Sequence, residues 1–109
     1  MKIIKISEFS KYPGPRFKRL GPDSGEQFRD DVLIPAIREF GNVGINLDNV
    51  FGFGSSFLEE AFGGLVRSNI ERSSIDFLME NITSEDDPSL RDEIKEYIND
   101  ELSDLEVTE

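Results

Sequence analysis

The sequence predicts an α/β fold, a single small domain with a β-α-β sheet and helices packed against it, and three observations lead there. Two short runs, Lys2 to Ser7 and Val43 to Val50, alternate apolar and polar residues as half-buried strands do. The stretches Ser24 to Phe40 and Phe57 to Val66 instead repeat their apolar residues at helical spacing. A length of 109 residues with 37% hydrophobic content and nine Phe is enough for one core, not two.

The first strand is Lys2 to Ser7, rich in Ile. Glu8 to Gly25 then carries three Pro and three Gly, including Pro13-Gly14-Pro15 and Gly21-Pro22-Asp23, which discourages regular structure. A long loop is expected here, with a brief strand at Arg16 to Leu20. Loops of this length in so small a domain are usually functional or mobile. Ser24-Gly25-Glu26-Gln27 matches a capping box, in which two side chains satisfy free backbone N–H groups, and so opens a helix. Phe28, Val32, Ala36, Ile37 and Phe40 fall roughly on one face of it. Pro35 lacks a donor and is expected to kink or divide this helix, which Gly41-Asn42 ends.

Val43 to Val50 is the second strand, followed by the glycine-punctuated turn Phe51-Gly52-Phe53-Gly54-Ser55-Ser56. Phe57, Leu58, Ala61, Phe62, Leu65 and Val66 then mark one face of a second helix. Ser56 and Glu59 form another capping-box pair, which makes Ser56 the expected cap and leaves Ser55 at the exposed tip. Gly63-Gly64 disfavours a helix by about 1 kcal/mol per glycine, so a close approach of helix and sheet is the expected compensation. Ser74 to Met79 reads as a third, mostly buried strand. Asp87-Pro88 starts a final acidic helix with the stripe Leu90, Ile94, Tyr97, Ile98 and Leu102. The expected domain is 1–102, and 103–109 is an acidic tail expected to fray.

The absence of Cys and His excludes disulfides, zinc fingers and every triad or shuttle that needs a thiol or imidazole. Catalysis would have to run on carboxylates, Lys, Tyr or Ser. A protein without enzymatic activity, cofactor or metal is the expectation. Charge is uneven: residues 1–80 carry 10 Lys/Arg against 12 Asp/Glu, whereas residues 81–109 carry two against 11. A net charge of -11 disfavours nucleic acid as a partner, because phosphates must be neutralised by cations. No uncharged run approaches the roughly 20 residues of a membrane span, and no apolar signal region follows Met1, so the cytoplasm is the expected location.

Several residues are candidates for function. Ser55 and Ser56, with Phe53 and Gly54, stand where a strand hands over to a helix whose N–H groups and dipole face anions, although caps explain most such serines. Glu59 and Glu60 could serve as an acid/base pair, but neighbours on a helix diverge by about 100°, so dipole stabilisation suits them better. Tyr12, Arg16 and Phe17 could form an aromatic and cationic recognition surface. Arg16, Lys18 and Arg19 could supply cations to an anion held at a helix start, that of Ser24 or that of Ser56.

The stretch Ile45-Asn46-Leu47-Asp48-Asn49-Val50-Phe51-Gly52-Phe53-Gly54-Ser55-Ser56-Phe57-Leu58, continuing to Phe62-Gly63-Gly64-Leu65-Val66-Arg67, resembles the STAS-like family of bacterial proteins of uncharacterised function. Tyr12-Pro13-Gly14-Pro15-Arg16-Phe17 and Gly21-Pro22-Asp23-Ser24-Gly25-Glu26-Gln27-Phe28-Arg29 resemble its other motifs. More remotely, the chain is similar to the STAS domain of anti-sigma factor antagonists, in which a strand ends at Asp-Ser-Ser-Gly and a histidine-kinase-like ATPase phosphorylates the first Ser. That resemblance implies Ser55 as phosphoacceptor, though Gly54 stands in place of the Asp and Phe57 in place of the Gly. The expectation is a regulatory, bacterial interaction module whose Phe53, Gly54, Ser56, Glu59 and Glu60 meet such a partner. The alternative is a small-ligand or nucleotide/phosphate-binding protein using Arg16, Lys18, Arg19 and Ser24, and a third reading makes the acidic last helix a nucleic-acid mimic.

Overall fold

In a computed structural model that describes residues 1–108, three parallel strands stand in the order of the chain. β1 (Lys2–Lys5) pairs with β2 (Val43–Asn46), which pairs on its other side with the two-residue β3 (Ile82–Thr83). Being central, β2 buries Val43, Gly44 and Ile45 in succession, whereas edge strand β1 buries only Ile4. Parallel neighbours require long crossovers, and here these carry the helices. A one-turn helix, α1 (Ile6–Phe9), follows β1 directly, with Ile6 wholly buried. The remaining helices are α2 (residues 25–40), α3 (residues 55–67), α4 (Arg72–Glu80) and α5 (Ser89–Thr108).

The core joins the sheet to these helices through Phe28, Phe57, Phe62, Leu33, Ile45 and Leu78, all inaccessible or nearly so. Phe28 of α2 is its aromatic hub. Its ring lies 5.3 Å edge-on from Phe9, 6.1 Å from Phe57 and 6.3 Å from Phe62. Each buried Phe contributes about 1.5–3 kcal/mol relative to an exposed one. From α5, Ile94, Ile98 and Leu102 close the core over the middle of α3.

Three expectations are corrected. Ser74 to Met79 lies within α4, because Ile75 and Leu78, three apart, are the buried pair and Asp76 faces water. The third strand comes after it, at Ile82–Thr83. Arg16 to Leu20 holds a single 3₁₀ turn, Lys18–Leu20, and no strand. At the start of α3 the cap position is Gly54 and not Ser56, so both serines belong to the first helical turn. Residues 103–108 of the expected tail are helical, as the last part of α5, and Glu109 lies outside the described residues.

Two helices change pitch midway. The Ile34 N–H donates to the Arg29 carbonyl and the Gly64 N–H to the Glu59 carbonyl, five residues back in place of four. In α2 the cause is Pro35, which cannot donate and sits in the first turn of the restarted helix. In α3 the widened turn, residues 59–63, leads into Gly63-Gly64. Sheet approach is not what this glycine pair provides. A Cβ on Gly64 would overlap the Arg29 guanidinium, and one on Gly63 the Glu59 carboxylate.

Candidate functional site at the carboxyl edge of the sheet

The Phe51 to Ser56 turn leaves the carboxyl end of β2, the place where open α/β sheets commonly hold ligands. Its approach is laced together by main-chain and Asx contacts. Asn46 Oδ1 accepts the Asp48 N–H at 2.8 Å, and Asp48 Oδ1 accepts the Glu85 and Asp86 N–H groups, both at 2.9 Å. Asp86 in turn accepts the Asn49 N–H at 3.0 Å. The loop after β2 is thereby fixed to the loop after β3.

The Pro/Gly loop joins the same edge. The Phe51 N–H donates to the Lys11 carbonyl at 2.9 Å, and the rings of Tyr12 and Phe51 stack 4.8 Å apart, only 4° from parallel. Both rings face water, at 71% and 74% exposure. Lys11, Asn49, Val50, Phe51 and Asp86 line an open cleft beside them. Of the expected loop surface, Tyr12 is thus exposed. Phe17 is half-buried with the Arg19 guanidinium 5.3 Å from its ring centre.

Gly54, Ser55 and Ser56 are exposed and Phe53 is half-buried, its ring 6.0 Å from Phe57. No side chain caps this helix start. On α5, the Tyr97 phenol donates to Glu93 Oε2 at 2.6 Å. That bond to the Glu93 carboxylate, with burial, raises the Tyr97 pKa, and Ser55 opposes the shift.

Glu59 and Glu60 behave differently from the expectation that they diverge. Arg16 contacts both, and so does Arg67. Glu60 is buried and also pairs with Arg29, while Arg67 reaches on to Glu101 of α5 at 2.6 Å. Three arginines and three glutamates therefore form one ion-pair cluster at the junction of the loop, α2, α3 and α5, which Asp30 joins through Arg29 at 2.9 Å. The Arg67 hydrogen bond, followed by that of Arg16, outweighs burial and holds the Glu59 carboxyl below the usual range. Conversely, Glu59 raises the Arg67 pKa.

The other helix start is filled from within. Gly25 and Glu26 N–H groups donate to the Pro15 and Arg16 carbonyls at 2.9 and 3.0 Å, and the Gln27 N–H to Ser24 Oγ at 2.9 Å. Gln27 reaches back to the Asp23 N–H at 3.1 Å. The donors an anion would need at Ser24 are already in use. Lys18 lies 3.7 and 3.9 Å from Asp30 and Asp31. Among the described residues, no group of metal-ligating side chains gathers, and no helix is long and apolar enough to cross a membrane.

Sequence reasoning missed Arg29, Arg67, Glu101, Glu93 and the stacking partner of Tyr12. A signal for two of them was present. Each of the three stretches carrying the family resemblance contains one of the clustered arginines, Arg16, Arg29 or Arg67.

These features define a small three-stranded parallel α/β domain whose central strand delivers a serine-bearing turn to the surface. The chain belongs to the family described as a STAS-like domain of unknown function, whose model matches residues 24–87. No curated protein and no solved structure matches it.

Proposed function

We propose that this domain works by binding and not by catalysis, as a regulatory module that meets a protein partner through the carboxyl edge of its sheet. The observation that carries this reading is the Tyr12 and Phe51 pair, two large rings exposed side by side, with Phe51 opening the turn that carries Ser55 and Ser56. Aromatic residues are enriched at interfaces, where they bring large contact area at small entropic cost. Phe53, Gly54 and Ser56 belong to the proposed surface, with Glu59 at its rim. Glu60 supports it from below, since its carboxylate is occupied by Arg29.

The partner in this reading is a histidine-kinase-like ATPase, and Ser55 is the switch. The γ-phosphoryl group of ATP would pass to the Ser55 oxygen, ADP would leave and the hydroxyl proton would go to a base of the kinase. The presence of Glu59 and Glu60 one turn on does not forbid a dianion there, because three arginines compensate them. The test is intact mass after incubation with the partner ATPase, ATP and Mg²⁺. A gain of one phosphoryl group that disappears in Ser55→Ala supports the switch, whereas no gain, or a gain that survives the substitution, removes it.

The uncapped start of α3 favours one second reading, a phosphate or nucleotide site at those N–H groups. A thermal-shift series with ATP, ADP and inorganic phosphate separates the two. A ligand present at 100 times its Kd would add about 2.7 kcal/mol of stability, and a flat series ends this alternative.

A further inference from the structure

β1 is an edge strand of the sheet, paired with β2 on one side. The Lys2 N–H donates to the Asn42 carbonyl at 3.1 Å, which sets the phase of the parallel ladder: the main-chain groups of Lys2 and Ile4 turn to β2, and those of Ile3, with the Lys5 N–H, turn outward. The open edge thus presents a row of hydrogen-bonding groups. Along it runs an open cleft to which Lys2, Ile3, Lys5, Glu8, Phe9 and Val32 all contribute. Phe9 and Val32, each half-buried against the core, form its apolar wall, and Ile3 is exposed. In a chain of net charge -11, this cleft carries two lysines against one glutamate.

We infer that this edge binds an extended acidic segment of a partner protein, which joins the sheet as a fourth strand antiparallel to β1. Strand addition takes its affinity from main-chain bonds, here those of Ile3 and Lys5, and its specificity from alternate side chains. Because side chains alternate between faces, a residue opposite Ile4 lies on the core face beside Phe9 and Val32, and an apolar one fits there. Residues opposite Lys2 and Lys5 are acidic, since opposite charges facing each other across a ladder attract. The matching segment reads acidic, apolar, any, acidic. Lysines also protect an exposed edge from indiscriminate pairing. Here they select the occupant: a basic segment is repelled, and a second copy of this chain would bring four lysines to one seam of four-residue strands. Neither Tyr12, Phe51 nor Ser55 lines this cleft, so the edge is a second interface, separate from the turn.

Titration of the full isotope-labelled chain with the peptide acetyl-Thr-Glu-Val-Thr-Glu-Thr-amide, followed by amide NMR shifts, tests this. The Ile3 and Lys5 amides should shift saturably, with those of Phe9 and Val32, and binding should weaken as salt is added. Lys2→Gln combined with Lys5→Gln should lower affinity about tenfold. Ile3→Pro removes an outward-facing donor at an edge position where Pro is tolerated, and should also lower affinity about tenfold. The lysine double variant keeps the test decisive if Ile3→Pro does not fold. A peptide with Lys in place of both Glu should produce no shifts. Unmoved β1 amides at millimolar peptide, or equal binding of the Lys peptide, overturns the proposal. A doubled mass in light scattering without peptide, lost in Ile3→Pro, would assign the edge to a second copy and overturn it as well.

Discussion

Arg29 and Glu60 meet between α2 and α3, each projecting from a widened turn and each with little of its side chain in water, 12% and 10% respectively. Arg29 also donates to the Glu60 carbonyl at 3.3 Å, so one guanidinium binds both the side chain and the main chain of its partner. The two irregular turns are fastened to each other by this contact. Burial pulls the Arg29 pKa down, but Asp30 and Glu60 more than reverse it.

Removing one partner of such a pair takes the principal counter-charge from the other, leaving Glu60 with the more distant Arg16 and Arg67, or Arg29 with Asp30 alone. Arg29→Met or Glu60→Met should each lower the free energy of unfolding by about 3 kcal/mol, measured by urea titration. The double substitution should lose clearly less than the two combined, since it leaves neither charge behind.

The glycines divide by what surrounds them. Gly64→Ala gains helix propensity yet drives a methyl into the Arg29 guanidinium, so a net destabilisation of about 1–3 kcal/mol is expected from the urea midpoint. Gly54 has a φ of −79° and open space around its Cβ position. Gly54→Asp should therefore stabilise by a few tenths of a kcal/mol, about the advantage of Asp over Gly at a helix cap.

Acid should weaken the fold through Glu59. Its folded pKa is depressed, chiefly by Arg67, so the unfolded chain binds its proton more readily. The stability this contributes is complete above the ordinary glutamate value of about 4.3 and is lost as pH falls through the lower folded value. Urea midpoints between pH 7 and pH 3 should fall along that window, and Glu59→Gln should flatten the slope.

Tyr97 offers a spectroscopic check on its bond to Glu93. In a Tyr12→Phe background Tyr97 is the only tyrosine, and its absorbance should titrate above the ordinary value of about 10 because of Glu93. Glu93→Gln should bring the titration down. The raised value also means that this contact stabilises the fold below about pH 10 and ceases to do so as pH rises through the folded pKa.

On the proposed binding face, Tyr12→Ala and Phe51→Ala remove rings that are mostly in water, so melting temperatures should stay close to wild type. Affinity for the proposed ATPase partner, measured by calorimetry, should fall at least about tenfold, the order expected of a central aromatic anchor. Unchanged affinity in both variants would move the binding face elsewhere.

Much of this was legible in the chain. Phe57, Leu58, Ala61, Phe62, Leu65 and Val66 marked a helix face and are all buried, and Ser24 caps α2 through the Gln27 N–H as its spacing required. What failed was local pattern over short spans. Ile75, Phe77, Leu78 and Met79 are four apolar residues in a run of five, too short to separate a buried strand from a helix, and the two-residue β3 has no period to read. The arginine cluster was illegible for a different reason. Residues 16, 29 and 67 share no spacing, and only tertiary packing brings them to Glu59 and Glu60. Pro35 announced an irregular helix, but its resolution as one wide turn depends on what lies across from it.

The strand order carries a kinetic consequence. Every rung, from Lys2 with Val43 to Asn46 with Thr83, links positions roughly forty residues apart, and no hairpin is available to nucleate the sheet. During synthesis β1 must wait, unpaired, until β2 has emerged. Helical segments can form early from local contacts, but the ladder closes only when distant parts of the chain find one another, which makes sheet assembly the slow step in the birth of this molecule.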